Sequence, residues 1–454
     1  MTRWQIYSRP LNRKPTSQHK INASPPLILL LGFMGLIVVG ALLLKLPVAT
    51  TTPISWLQSA FTATSAVTVT GLIVVDTGTA FTAFGQIVIA VLIQLGGLGL
   101  MTFAVVTLIA LGGKVSFLQQ STMKEAFNQT DASTLVSTAK SVLIFAFITE
   151  SVGILILTLH WCSDMGLSSA LYNAFFYTIS AFNNAGFALH SDSLMQYVDD
   201  PVVNLVITGL FIVGGLGFSV WIDLVRKRAW QTLTVYSKVM IVGTCAINMV
   251  ALILIYLIES DNAETLGSLS EAGKWWAAWF QAVTPRTAGF NTINTAALED
   301  ASTALTMLLM FIGGGSMSTA SGIKLVTFVV LLVATYSFLR RDPAPTLFHH
   351  TIKQETILKA LALTMISLGA CCLAIFLLLL SENAQFLDIV FEAVSALGTV
   401  GLSRGLTGEL SIPGQCIIIF LMLVGRLGPL TLAYFLASPR QRRIRYVNCR
   451  LAIG

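Results

Sequence analysis

Charged side chains are scarce in this sequence. Lys, Arg, Asp and Glu together make up 11% of the 454 residues, whereas hydrophobic residues make up 55%. A water-soluble chain of this length would have too few charged groups to cover its surface. Apolar stretches of about 20 residues recur along the chain, and that length crosses the hydrocarbon core of a bilayer. The composition therefore predicts an all-α, multi-pass protein of the cell (inner) membrane.

Cysteine and histidine are also rare. The six cysteines form no CxxC pair and the five histidines are scattered, so neither a disulfide framework nor a metal site is expected. The sequence also lacks a membrane-embedded HExxH motif, an intramembrane aspartate pair and a Ser–His arrangement at matched depth. We therefore expect no enzyme activity and no covalently bound cofactor.

The few charged residues are distributed asymmetrically. Most of the 27 Lys and Arg residues fall in the termini and in three connecting segments, and most acids fall in the other connections. By the positive-inside rule, both termini are predicted to be cytoplasmic, and the net charge of +6 indicates no nucleic-acid partner. Basic clusters at 226–228 and 440–445 are candidates for binding anionic membrane lipids. The predicted cytoplasmic segments are residues 1–24, 113–138, 226–238, 340–355 and 438–454.

Four short polar segments that end in glycine resemble one another. They are Val69-Thr70-Gly71, Asn184-Ala185-Gly186, Thr287-Ala288-Gly289 and Thr399-Val400-Gly401, preceded at the same distance by the aromatic residues Phe61, Phe176, Trp279 and Phe391. A segment copied four times can build a ring around one axis. Because glycine has no side chain, backbone carbonyls beside it can replace the hydration shell of an ion. The pattern predicts an ion pore with carbonyl ligands from the four glycines.

Each glycine segment lies within a repeat of the same design. A long apolar helix is followed by a short amphipathic re-entrant helix, the glycine segment and a second long helix. Four such repeats predict eight spanning helices around one central pore. The predicted first helices are 27–47, 139–160, 239–259 and 356–380, and the short helices are 55–65, 168–179, 274–283 and 386–396. The repeats are 25–112, 139–225, 239–339 and 356–437.

The second helix of each repeat carries glycines in the same phase, at Gly96, Gly214, Gly313 and Gly425. In the first two repeats they favour close helix packing. The third copy differs, because residues 313–324 crowd glycines and hydroxyl residues into a membrane segment. Each glycine costs a helix about 1 kcal/mol relative to alanine, so a loop is predicted here, acting as a gate; a static kink is the alternative. The candidate gate residues are Gly313, Gly314, Gly315, Ser316, Ser318, Thr319, Gly322 and Lys324.

Two further charges are isolated in apolar surroundings. A charged side chain at mid-bilayer costs about 2.5–3.5 kcal/mol unless it faces water or a partner. Arg426 occupies the glycine phase of the fourth repeat, so we expect it to contact carbonyls or hydroxyls of the loop at 313–324 and to complete the gate. Glu150 is expected to be a buried structural residue, with a functional role as the alternative.

These motifs resemble the Trk/Ktr/HKT superfamily of potassium transporters, and within it most closely the KtrB-type membrane subunit of bacterial Ktr systems. The resemblance extends over essentially the whole chain. Its most specific residues are Thr70-Gly71-Leu72, Asn183-Asn184-Ala185-Gly186-Phe187, Arg286-Thr287-Ala288-Gly289-Phe290-Asn291, Thr399-Val400-Gly401-Leu402, the loop at 313–324 and Gly425-Arg426-Leu427-Gly428-Pro429-Leu430-Thr431.

The resemblance implies four pseudo-symmetric units, a K⁺ selectivity filter at the glycine segments and K⁺ uptake that is often stimulated by Na⁺. It also implies a homodimer and a KtrA-like cytoplasmic nucleotide-binding ring as regulator. No additional spanning helix precedes residue 25, which favours the Ktr type. The alternatives are a Trk-type symporter coupled to H⁺ or Na⁺ and the pore subunit of a K⁺ pump.

Overall fold

The computed structural model describes residues 25–110, 132–316 and 318–428. The segments 1–24 and 438–454, most of 113–138 and the basic cluster at 440–445 lie outside these residues. The cytoplasmic position of the termini therefore remains a prediction.

The described chain is almost entirely helical, and the prediction of an all-α fold is confirmed. The four first helices are Pro25–Leu44, Ala132–Met165, Val235–Glu259 and Gln354–Ser381. The four short helices are Trp56–Thr68, Leu167–Phe182, Glu271–Val283 and Phe386–Gly398. The second helices are Ala83–Ala110, Pro201–Leu216 with Phe218–Lys227, Asp300–Phe311 with Leu325–Arg340, and Ile412–Leu427.

Small elements complete the described fold. Single turns lie at Thr77–Ala80, Met195–Tyr197, Trp230–Thr232, Thr295–Ala297 and Leu406–Glu409. Strand Ile312–Gly313 pairs in parallel with Ile323–Lys324, so that Ile312 faces Ile323. Strand Thr346–Leu347 pairs with His350–Thr351 in an antiparallel hairpin.

Three helices of the described chain are long and apolar enough to cross a bilayer on their own. They are Lys140–Met165, Val235–Glu259 and Gln354–Ser381, and the bent pair Pro201–Leu216 and Phe218–Lys227 makes a fourth if it counts as one span. The other apolar helices are shorter. Large apolar side chains on these helices, such as Leu159 and Leu380, are exposed to the exterior, as lipid contact requires. The count of eight spanning helices remains a prediction.

The second helix of the second repeat is interrupted, where the sequence predicted one long helix. Pro201–Leu216 and Phe218–Lys227 meet at an angle of 90°. Gly217 between them has a φ of 98°, which side-chain-bearing residues rarely adopt. A Cβ at this glycine would lie 2.6 Å from the carbonyl oxygen of Ser316, so the bend also makes room for the third repeat. The boundary expected at residue 225 falls inside the helix Phe218–Lys227.

The aromatic residues before the glycine segments pack between repeats. Phe61 belongs to the buried cluster around Phe391 of the fourth repeat, and Phe176 belongs to the cluster around Val67 of the first. Trp279 is half-buried, and its indole nitrogen donates a 3.2 Å hydrogen bond to the Thr208 hydroxyl of the second repeat. Each of these side chains therefore joins its short helix to a neighbouring repeat.

Candidate functional site

The four glycine segments contact one another in cyclic order. A Cβ added to Gly71 would lie 2.3 Å from the carbonyl oxygen of Ala185, and one added to Gly186 would lie 2.8 Å from Cα of Gly289. A Cβ added to Gly289 would lie 2.3 Å from the carbonyl oxygen of Val400. A Cβ added to Gly401 would lie 2.2 Å from the carbonyl oxygen of Thr70. Only hydrogen fits at these positions. The first segment thus meets the second, the second the third, the third the fourth, and the fourth the first.

The backbone of all four segments is strained in the same way. In each segment the glycine and the residue two positions before it have positive φ. The values are 57° and 91° at Val69 and Gly71, 61° and 68° at Asn184 and Gly186, 75° and 79° at Thr287 and Gly289, and 49° and 94° at Thr399 and Gly401. A non-glycine residue in this conformation costs about 1–3 kcal/mol, and three of these four are β-branched. Strain repeated at equivalent positions is typical of a functional site.

Serine hydroxyls support the backbone of two segments. The amide of Gly71 donates a 3.0 Å hydrogen bond to Ser65 Oγ, and the amide of Gly401 donates one of 3.1 Å to Ser395 Oγ. The equivalent Ser180 in the second repeat is buried without a side-chain partner among the described residues. These hydroxyls fix the glycine amides in the first and fourth repeats only.

The third segment is built differently. Val283 stands at the serine position, and the Thr284 hydroxyl donates a 2.5 Å bond to the carbonyl oxygen of Phe290 instead. Arg286 is buried beside this segment and donates to Asn248 Oδ1 at 3.2 Å. The sequence marks Arg286 only as part of the family motif. Its charge within an apolar repeat was the signal that could have marked it as a buried group.

A side chain of the second segment connects to the third segment and to the intramembrane loop. Asn184 Nδ2 donates to the Thr287 hydroxyl at 3.3 Å. The Thr319 hydroxyl lies 2.9 Å from Asn184 Oδ1 and 3.3 Å from the carbonyl oxygen of Phe182. Two predicted filter residues and one predicted gate residue therefore share one buried polar cluster.

The chain between the strands Ile312–Gly313 and Ile323–Lys324 forms the predicted break in the second helix of the third repeat. Its backbone lies against the end of the helix Pro201–Leu216, because the amide of Gly315 donates to the carbonyl oxygen of Gly215 at 2.8 Å. Gly314 is equally close, since a Cβ there would lie 2.6 Å from the same oxygen. A Cβ at Gly313 would lie 1.9 Å from the carbonyl oxygen of Ser321.

The remaining candidate gate residues also have partners. The Ser316 amide donates to the Tyr236 hydroxyl at 2.7 Å, and the Ser318 hydroxyl donates to the carbonyl oxygen of Gly315 at 2.7 Å. Lys324 Nζ donates to the carbonyl oxygen of Ala320 at 2.8 Å. Gly322 has a φ of 69°, which glycine adopts readily.

Arg426 connects the loop to the first repeat. Its guanidinium group donates to the carbonyl oxygen of Thr319 at 2.5 Å and to the Ser321 hydroxyl at 3.1 Å. It also donates to the carbonyl oxygens of Gly96 and Gly97, at 2.5 Å and 3.2 Å. The arginine is 6% exposed, and no described carboxylate forms an ion pair with it. Neutral oxygens therefore bind both terminal nitrogens of this buried cation, whereas its Nε is buried without a partner among the described residues. The oxygens include a loop carbonyl and a loop hydroxyl, as the sequence predicted.

Glycines of the second helices pack on the short helices. A Cβ at Gly96 would lie 2.0 Å from the carbonyl oxygen of Val67, one at Gly214 would lie 2.0 Å from that of Phe182, and one at Gly425 would lie 2.1 Å from that of Leu397. Each contacted residue stands four positions before the glycine of its segment. The second helices therefore approach the glycine segments at equivalent points in three repeats.

Two acids are buried, which the sequence did not indicate. Glu392 lies in the short helix Phe386–Gly398 and is 0% exposed; it accepts hydrogen bonds from the hydroxyls of Thr407 and Ser403. Glu259 is also 0% exposed and accepts a 2.6 Å bond from the Thr265 hydroxyl. In the sequence, both fall among the acids predicted to lie on the side opposite the cytoplasm. Hydroxyl groups of the following loops allow them to be buried there.

Comparison with known proteins identifies the family. Residues 32–444 match the family described as TrkH, a cation transport protein. Ktr system potassium uptake protein B of Bacillus subtilis is 48% identical over 96% of this chain and 98% of the relative. The protein of the same name from Vibrio alginolyticus is 43% identical over 96% of both chains. Potassium/sodium uptake protein NtpJ of Enterococcus hirae is 35% identical over 95% of this chain and 97% of the relative.

A solved structure shows the same fold. The crystal structure of the potassium transporter TrkH from Vibrio parahaemolyticus matches with a TM-score of 0.73, covering 93% of this chain and 86% of that chain at 19% sequence identity. The resemblance inferred from the sequence motifs is confirmed, and the protein is a membrane protein. The chain belongs to the TrkH family of cation transport proteins.

Proposed function

We propose that this chain is the K⁺-translocating pore subunit of a Ktr-type potassium uptake system. The cyclic contact of the four glycine segments is the observation that carries the proposal. It is supported by the relatives named Ktr system potassium uptake protein B, which share nearly the full length of the chain.

The proposed filter binds K⁺ through backbone carbonyls. Gly71, Gly186, Gly289 and Gly401 supply carbonyl oxygens to the ion, together with the residues before them in each segment. Because these glycines carry no side chain, the segments approach closely enough for oxygens from four sides to replace the hydration shell of one K⁺ ion. The positive φ values recur at equivalent positions, so the four segments share the same backbone bend.

The proposed gate is the loop at 313–324 together with Arg426. The loop is held by groups from two other repeats, through Asn184 of the second and Arg426 of the fourth. The same arginine also binds the carbonyl oxygens of Gly96 and Gly97 in the first repeat. It has little regular structure of its own beyond one two-residue strand pair. No helix spans it, so it can move as a segment once its contacts with Gly215, Asn184 and Arg426 break. It is therefore suited to open and close the path below the filter.

Control of the gate is assigned to a second component. Two segments on the predicted cytoplasmic side, between Lys227 and Val235 and between Arg340 and Gln354, are too short to form a regulatory domain. A gate responds to a ligand only through contacts that differ between its states. These contacts must come from outside the two segments, and the resemblance to Ktr systems supports a homodimer that binds a KtrA-like nucleotide-binding ring. The name potassium/sodium uptake protein, carried by a relative at 35% identity, supports Na⁺ as an activator or coupled ion.

Transport assays test the proposal. Purified protein in liposomes is assayed for uptake of K⁺ and Na⁺, with and without a Ktr-type nucleotide-binding subunit and ATP. We expect K⁺ uptake that exceeds Na⁺ uptake and rises with the subunit and ATP. Full uptake that is independent of the subunit would contradict the regulatory part. Uptake that follows an imposed H⁺ or Na⁺ gradient would favour the symporter alternative.

A further inference from the structure

Glu150 begins a chain of polar side chains that ends at the second glycine segment. It lies near the middle of the span Lys140–Met165 and is 8% exposed. Gln94 Nε2, from the second helix of the first repeat, donates to both carboxylate oxygens, at 2.8 Å and 3.1 Å. No ion pair with Glu150 occurs among the described residues. Both carboxylate oxygens therefore accept from this amide, and the side chain of Asn183 also lies close to the carboxylate.

The chain continues from Gln94 to Asn183. Asn183 Nδ2 donates to Gln94 Oε1 at 2.6 Å and to the carbonyl oxygen of Ile179 at 3.0 Å. The opposite side of this amide is enclosed, since a Cβ at Gly97 would lie 2.1 Å from Asn183 Oδ1. Asn183 follows the end of the helix Leu167–Phe182 and directly precedes Asn184, which has positive φ. Its position determines where the strained segment begins.

The hydrogen bonds of this chain run in a single direction. Both oxygens of Glu150 accept from the NH₂ group of Gln94, and the oxygen of Gln94 accepts from the NH₂ group of Asn183. The carbonyl oxygen of Ile179 can only accept, so it holds the NH₂ group of Asn183 in place from the other end. If residue 150 were an amide, one of its two oxygens would become an NH₂ group that faces the NH₂ group of Gln94, and two donors would meet without an acceptor.

We propose that Glu150 is a positioning residue of the second glycine segment, acting through Gln94 on Asn183 to set the K⁺ affinity of the filter. The inference rests on the proposed function, because it assigns Glu150 to that filter. Glu150 lies on the first helix of the second repeat, Ala132–Met165, and makes no direct contact with the residues of the glycine segments.

An exchange of the two side chains tests this arrangement. Glu150→Gln is isosteric but replaces one acceptor of Gln94 Nε2 by an NH₂ group, so KM for K⁺ should rise roughly three- to tenfold, with weaker discrimination against Na⁺ and a smaller change in Vmax. In Glu150→Gln/Gln94→Glu, the carboxylate at position 94 accepts from Asn183 and from the amide introduced at position 150, so the NH₂ groups again face an acceptor. We expect the double variant to recover most of the wild-type KM.

Two controls separate positioning from folding. Glu259→Gln alters another buried carboxylate that contacts loop residues, and it should leave KM unchanged even if stability falls. If Glu150→Gln folds poorly, Glu150→Leu/Gln94→Leu removes both polar groups together and should give the same raised KM. A wild-type KM in either folded variant, or a double exchange that remains as impaired as Glu150→Gln, would overturn the inference.

Gly71→Ser, assayed in parallel, separates this inference from the proposed function. If Gly71→Ser changes K⁺ affinity and Glu150→Gln does not, only the role of Glu150 is rejected. If neither variant changes K⁺ affinity, the filter assignment fails and the role of Glu150 fails with it.

Discussion

The Asn184 side-chain oxygen accepts a 2.9 Å hydrogen bond from the hydroxyl of Thr319. One residue belongs to the predicted filter and the other to the predicted gate, and both are 1% exposed. The other side of the Asn184 amide reaches Thr287 in the neighbouring glycine segment. Moving the loop away must break this bond, so a change at the proposed gate alters the surroundings of the proposed filter.

The first prediction tests this bond. Thr319→Val removes the hydroxyl and keeps the shape of the side chain. The free energy that holds the loop against the filter should therefore fall by about 1 kcal/mol. We expect Vmax for K⁺ uptake to rise roughly fivefold. Ser318→Ala is the matched control, because its hydroxyl donates within the loop. Equal Vmax values for Thr319→Val and the wild type in folded protein would show that the bond does not restrain the loop.

The second prediction concerns the filter glycines. Gly71→Ser and Gly289→Ser each place a Cβ 2.3 Å from a carbonyl oxygen of the next segment, which forces the two segments apart. We expect a higher KM for K⁺ and measurable Na⁺ uptake, on the order of tenfold changes. Gly369→Ala is the control, since a Cβ there has no neighbour within 4 Å. Unchanged competition between K⁺ and Na⁺ in both serine variants would refute the assignment.

The third prediction concerns Arg426. Arg426→Ala releases the loop from the guanidinium group, and charge-assisted hydrogen bonds contribute about 1.5–3 kcal/mol each. We expect Vmax to increase at least severalfold, with a much smaller change in KM for K⁺. A deletion within 313–316 should act in the same direction. Arg404→Ala is the control, because Arg404 binds Asp388 at 2.7 Å, away from the loop. Loss of transport in well-folded Arg426→Ala protein would make the arginine a structural residue.

The fourth prediction compares equivalent serines. Ser65→Ala and Ser395→Ala each leave a glycine amide without its acceptor, and this should cost about 1 kcal/mol of filter stability. We expect KM for K⁺ to rise roughly fivefold in both. Ser180→Ala removes a hydroxyl that makes no described hydrogen bond, so its KM should stay near the wild-type value. Equal effects of all three substitutions would contradict this use of the serines.

The sequence predicted the features that repeat along the chain. The four short helices lie within a few residues of their predicted positions. Their positions were predictable because each repeat has a long apolar stretch, an aromatic residue and a glycine at similar spacing. The sequence also predicted the break at 313–324, because several glycines lie close together in one membrane segment.

The sequence did not predict features that depend on contacts between repeats. The bend at Gly217 is one example, because a single glycine in a helix is usually tolerated and the reason for this one is the carbonyl group of Ser316. The bonds from Thr319 to Asn184 and from Arg286 to Asn248 are others. They join residues far apart in sequence, and no local pattern indicates which polar groups will meet.

One chain supplies all four glycine segments of the ring, so a substitution changes a single quadrant. In a ring of identical subunits, the same substitution would be applied to every quadrant at once. Here Ser65 can be lost while Ser395 remains, and Arg286 can occupy a position beside the third segment that no other segment has to accommodate. Each glycine segment can therefore acquire its own role. Ion affinity can be changed in small steps, because one segment can be altered while the other three stay the same.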